Sequence, residues 1–83
     1  MAMNLEYTDT FGGGANYSWV RRAYIPCDGL SRLALIRRAK RWAGLSGIPC
    51  EVSCLGDGYE IRPRRMATVL FVAWSDIPEG EAV

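Results

Sequence analysis

The sequence predicts an α+β fold, a single antiparallel or mixed sheet of about five strands in the order ββαβββ with one helix packed on one face. Three observations carry that expectation. Only Leu33 to Gly44, LALIRRAKRWAG, has helical spacing: Leu35, Ile36, Ala39, Trp42 and Ala43 fall on one arc, and Arg37, Arg38, Lys40 and Arg41 on the opposite one. The other apolar segments are short, rich in β-branched and aromatic residues, and punctuated by glycine or proline. Finally, Ala67 to Trp74 is apolar on both alternating sets, Val69, Phe71 and Ala73 against Thr68, Leu70, Val72 and Trp74. A strand of that kind belongs mid-sheet, covered on both sides, and one helix covers only one of them.

Taken in order, Leu5 and Tyr7 alternate with Asn4, Glu6 and Thr8 in an opening strand within Met1 to Thr10. After Phe11, the run Gly12, Gly13 and Gly14 reverses the chain, because glycine reaches positive φ without a steric penalty. The hairpin partner is Asn16 to Ile25, stopped by Pro26, with Tyr17, Trp19, Ala23 and Ile25 as its more apolar side. Asp28 or Ser31 caps the helix, since either side-chain oxygen can accept the first-turn amide hydrogens. Gly44 ends it in the left-handed conformation, Leu45 packs back over the last turn, and Ser46 to Pro49 lead out. Cys50 to Leu55 and Tyr59 to Arg62 flank Gly56-Asp57-Gly58, a hairpin signal resting on the positive φ that Asp and Gly tolerate. Residues 1–74 thus read as one domain, and residues 75–83 as a flexible acidic tail carrying Pro78 and Gly80.

A chain of 83 residues is one domain, and at this size it buries only about 60 to 65% of its unfolded surface. Its net charge of +1 conceals a strong asymmetry. All ten Lys and Arg lie between Arg21 and Arg65, against the four carboxylates of Asp28, Glu51, Asp57 and Glu60, so that segment carries +6. Glu6 and Asp9 in front, and Asp76, Glu79 and Glu81 behind, make the ends acidic. Such a distribution speaks to partners and not to fold. Cys27, Cys50 and Cys54 are an odd count, which fits free thiols in a reducing compartment better than a disulfide framework. The longest apolar run falls well short of the ~20 residues that span a bilayer, and no secretory pattern opens the chain, so no membrane anchor and a cytoplasmic location are expected.

Most site chemistries are excluded by what is missing. The glycine run matches neither a phosphate loop, which needs Gly-Lys-Ser/Thr after four residues, nor a dinucleotide loop, whose third glycine would stand at Tyr17. There is no histidine, and Cys50 and Cys54 would stand about 13 Å apart along a strand, so neither metal nor cofactor is expected. No acid, base and nucleophile assemble into a catalytic constellation, and the protein is read as a non-enzyme. What remains is the basic arc of the helix. A solvated face is its plain explanation, but no acidic residue occurs between Ser31 and Gly47, and Arg21, Arg22, Arg62, Arg64 and Arg65 strengthen the same field. Arg21, Arg22, Arg37, Arg38 and Arg41 are therefore the candidate partner-binding residues, facing phosphate through counterion release or an acidic protein surface through paired charges. Tyr17, Trp19 and Tyr24 offer rings for stacking, with Trp19 the one best suited to the core.

With these residues named, a family likeness can be stated. Tyr7 to Arg22, YTDTFGGGANYSWVRR, with Arg37-Arg38-Ala39-Lys40, Gly44 to Ile48 and Tyr59 to Pro63, resembles a family of small proteins of bacterial phages and mobile elements that includes anti-CRISPR proteins acting on type I systems. The likeness runs over most of the chain, and its Tyr-Thr-Asp-Thr and Ala-Asn-Tyr-x-Trp-Val-Arg-Arg pieces are the specific ones. It implies a phage-encoded inhibitor in the bacterial host cytoplasm that binds a subunit of a CRISPR surveillance complex without chemistry. The family pattern carries an acidic residue after two glycines where this chain has Gly14, so a contact made by that carboxylate would differ here. The rival expectation is a small nucleic-acid-binding accessory protein of a phage or mobile element. A third is a homodimer formed through the open sheet face; otherwise the chain is a monomer.

Overall fold

A computed structural model describes residues 2–75. The acidic tail expected from residue 75 onward lies, beyond Ser75, outside the described residues. Five strands and one helix follow in the order β1 (Ala2–Asp9), β2 (Val20–Pro26), α1 (Arg32–Ala43), β3 (Cys50–Leu55), β4 (Gly58–Pro63) and β5 (Thr68–Ser75). The strands form one sheet in the order β2-β1-β5-β4-β3, every neighbouring pair antiparallel. The fold is α+β, and the choice between antiparallel and mixed falls to antiparallel. β5, apolar on both alternating sets, sits in the middle of the sheet between β1 and β4.

Period-two alternation sorts the strands' side chains between two faces. Met3, Leu5 and Tyr7 of β1, Tyr59 and Ile61 of β4, and Leu70 and Val72 of β5 share one buried cluster with Leu35, Ala39 and Ala43 of α1. Leu45, just past the helix, is completely buried in the same cluster. Full burial of a leucine or isoleucine contributes roughly 1.5–3 kcal/mol, so Leu5, Leu45, Ile61 and Leu70 are among the side chains on which stability rests. On the other face Thr8 and Val69 are also fully buried, Phe71 is half-buried, and Arg22 pairs with Glu6 at 3.1 Å across β1 and β2. Arg62 pairs with Glu60 on that same side.

Three local expectations are corrected. Strand β2 begins at Val20 and not at Asn16, because residues 10–19 form a loop organised on Asp9. The Asp9 carboxylate accepts from the Ser18 amide at 3.0 Å and the Asn16 side chain at 3.2 Å, and the Thr8 hydroxyl donates to the Trp19 carbonyl at 2.7 Å. Tyr17 stands at φ 57°, a left-handed conformation no strand residue adopts. The strand also runs through Pro26, which is tolerated because β2 is a sheet edge and needs no donor on its outer side. In the β3–β4 hairpin, neither Gly56 nor Gly58 has positive φ. Gly58 is needed for a different reason: a Cβ there would stand 1.8 Å from the Val72 carbonyl oxygen.

The helix ends are as the sequence chemistry requires. Ser31 is the cap, its Oγ accepting from the Ala34 amide at 3.2 Å, and Asp28 takes no part in that contact. Gly44 closes the other end at φ 77°, and the Leu45 amide donates to the Lys40 carbonyl at 2.8 Å.

Candidate functional site

Helix α1 turns Leu35, Ala39 and Ala43 inward, so Arg37 and Arg41, one turn apart, face outward with Arg38 on the flank, and all three arginines are exposed. Lys40 is half-buried on the other flank and donates from Nζ to the Ile48 carbonyl at 2.9 Å. That bond pins the exit turn to the helix and leaves the lysine charge at the edge of the turn. Arg21 approaches the same helix end from β2. Its Nη2 donates to the Trp42 carbonyl at 3.2 Å and its Cζ lies 5.0 Å from the Trp42 ring centroid. A cation against the last-turn carbonyls complements the helix dipole, and a guanidinium over an indole face is a favourable contact in its own right.

The five arginines singled out by sequence do not form one surface. Arg37, Arg38 and Arg41 lie together on α1, and Arg21 meets the end of that helix. Arg22 follows Arg21 on a strand, points to the opposite face, and is held by Glu6. Among the described residues, Arg22 is paired with Glu6 and Arg62 with Glu60, and no carboxylate is seen against Arg37, Arg38 or Arg41.

Sequence reasoning counted Arg64 and Arg65 in the general field but assigned them no contact. The antiparallel topology brings them in. Strand β4 ends, and β5 begins, at the end of the sheet where α1 also finishes, and the Arg64 amide donates to the Pro49 carbonyl at 3.1 Å. A cleft of about 330 Å³ is lined by Arg37, Lys40, Arg41, Ser46 and Gly47. Beyond the Gly47–Ile48 bond, a second, of about 280 Å³, is lined by Ile48, Pro49, Arg64 and Arg65. Among the described residues no carboxylate lines either cleft. Signals for this were present in the sequence, since a chain whose last two strands form a hairpin must carry the intervening turn to one end of the sheet, but the helix direction was needed to choose which end.

The loop of residues 10–19 belongs to that same end. Thr10 donates its amide to the Ala67 carbonyl at 2.8 Å, which fixes the loop base against the β4–β5 turn. Phe11, the next residue, is 79% exposed. Burial of Asp9 pushes its carboxyl up, but the hydrogen bonds from Ser18 and Asn16 outweigh that cost and hold it below the ordinary aspartate value. The ring of Trp19 meets Tyr7 edge-on at 5.3 Å, which makes it a half-exposed lid on the core and not a free stacking platform.

Comparison with known protein families, with curated proteins and with solved structures finds no match to this chain. Among the described residues no helix is long and apolar enough to cross a membrane. The three cysteines are free thiols, Cys27 buried, Cys50 half-buried and Cys54 exposed.

Proposed function

We propose that this protein is a binding protein that acts without chemistry, by covering an anionic surface of a larger assembly with the basic face of α1. The observation that carries this reading is the run of Arg37, Arg38 and Arg41, exposed and unopposed by any described carboxylate, beside a lysine already committed to a backbone carbonyl. Charge left unbalanced in this way raises association rates with a negative partner and has no structural use of its own. The resemblance of the YTDTFGGGANYSWVRR segment to a phage family supports a type I CRISPR surveillance complex as the assembly whose activity the protein blocks. Arg21 supports the contact by fixing the helix end, and Arg22, bound to Glu6 across the sheet, is left outside it.

The test is charge reversal at the helix. The double substitution Arg37→Glu and Arg41→Glu is expected to abolish inhibition of a type I complex while the melting temperature stays within a few degrees, because both side chains are exposed. Arg22→Glu is expected to leave inhibition intact. Inhibition unchanged in the double variant refutes the helix face as the contact.

A further inference from the structure

We propose that the two clefts at the β4–β5 end of the molecule form a single-stranded nucleic-acid site, with Arg37, Arg41, Arg64 and Arg65 holding phosphates and Phe11 stacking on an unpaired base. This goes beyond the inhibitor reading. It shares Arg37 and Arg41 with it, while Arg64, Arg65 and Phe11 are its own.

The clefts are contiguous. Lys40, which lines the first, reaches the Ile48 carbonyl in the wall of the second, and Pro49 of the second accepts from the Arg64 backbone. Arg64 also lines a third, larger cleft with Thr10, Arg62, Met66 and one carboxylate, Glu51, and this cleft reaches the base of the loop bearing Phe11. A line of cations bending round one end of a body 33 × 30 × 22 Å suits a flexible polyanion. Guanidinium forks match phosphate oxygens in two-point contacts, so four arginines and a hydroxyl from Ser46 suit phosphodiesters better than the scattered carboxylates of a protein patch. Single strand is favoured over duplex on two grounds. Arg37 and Arg41, exposed on the helix, also line the cleft beside the exit turn, and a cleft of about 330 Å³ takes one backbone and not the width of a duplex. Phe11, exposed and next in sequence to Thr10 of the third cleft, offers a ring to a base that is free to stack.

The experiment is fluorescence anisotropy with labelled polyuridine and polythymidine of about 12 nucleotides, within the span one small domain covers, and with a duplex of equal length. Each is titrated at about 50 and 200 mM salt. Four phosphate contacts predict that single-strand affinity falls about 50-fold between the two salts. The double variant Arg64→Glu and Arg65→Glu is expected to halve the slope, leaving a fall of about sevenfold between the two salts, and Phe11→Ala to weaken single-strand binding about fivefold or more with duplex binding unchanged. Absence of oligonucleotide binding by the wild-type protein at the lower salt overturns the proposal, and does so without touching the inhibitor reading, which is scored by inhibition. Tighter binding to duplex, with no effect of Phe11→Ala, also overturns it. Thermal melts of both variants establish that they fold.

Discussion

Replacing Gly58 by alanine tests the sheet at its tightest point. The new methyl carbon would stand 1.8 Å from the Val72 carbonyl oxygen, 2.8 Å from its carbon and 3.0 Å from the Ala73 Cα, all backbone atoms of the central strand. Ordinary contact begins at 3.4 Å, so the strands must separate locally by about 1.6 Å. No side-chain rotation relieves this. Separation on that scale loosens the pairing of Gly58 with Ala73 and of Tyr59 with Val72, and the latter two are core residues. Two weakened ladder bonds cost roughly 1 kcal/mol each, and overpacking adds ~1–3 kcal/mol. About 3–5 kcal/mol is therefore expected, a large share of a total of ~5–15 kcal/mol and equivalent to a fall in Tm of about 12–40 °C for a domain of this size. Circular dichroism melts and urea titrations of wild type and Gly58→Ala measure it. Gly56→Ala is the control, because nothing lies within 4 Å of a Cβ there and its φ is not positive; it should shift stability by less than ~0.5 kcal/mol. A Gly58→Ala protein within about 1 kcal/mol of wild type would refute the close approach of β4 and β5.

Other outcomes follow from the same contacts. Ser31→Ala removes the only side-chain acceptor on the first turn of α1 that the described bonds show, and is expected to cost about 1 kcal/mol, read as a Tm lower by roughly 4–8 °C. Asp9 titrates below its ordinary value, so its contribution to stability is present above the unfolded aspartate pKa and is lost as pH falls through the lower folded pKa. The stability difference between wild type and Asp9→Asn should accordingly shrink in acid; a difference constant from neutral pH downward would mean the carboxylate charge is not what holds the loop. Gly14→Glu should leave Tm unchanged because Gly14 lacks positive φ and an added Cβ meets nothing within 4 Å.

Where neighbours in sequence decided the outcome, the sequence was enough. The apolar arc of α1, its glycine stop, the two-sided apolar character of β5 and the β3–β4 hairpin are all local signals, and each element stands where its pattern put it. The misread places involve a residue acting at a distance. Tyr17 and Trp19 look like strand residues by propensity, but the Asp9 carboxylate offers the 16–19 segment a competing set of hydrogen bonds, and these prevail over β-propensity. Gly58 resembles a turn glycine until Val72 arrives from the neighbouring strand. The basic surface failed in the same way. Counting charges along the chain grouped Arg21 with Arg22, but alternation on a strand sends adjacent residues to opposite faces, and only the topology could add Arg64 and Arg65. Legibility thus ended where register and through-space proximity began.

The central pairing of Ala2 with Ser75 through Asp9 with Thr68 joins the first described strand to the last. A ribosome delivering this chain has to finish β5 before β1 acquires its second neighbour, so the sheet of the nascent protein stays unfinished until β5 has emerged. Topologies dominated by such remote partners fold slowly, and any shortening that removes the final strand should yield no partial product, only an open pair of hairpin-like fragments prone to sticking edge to edge.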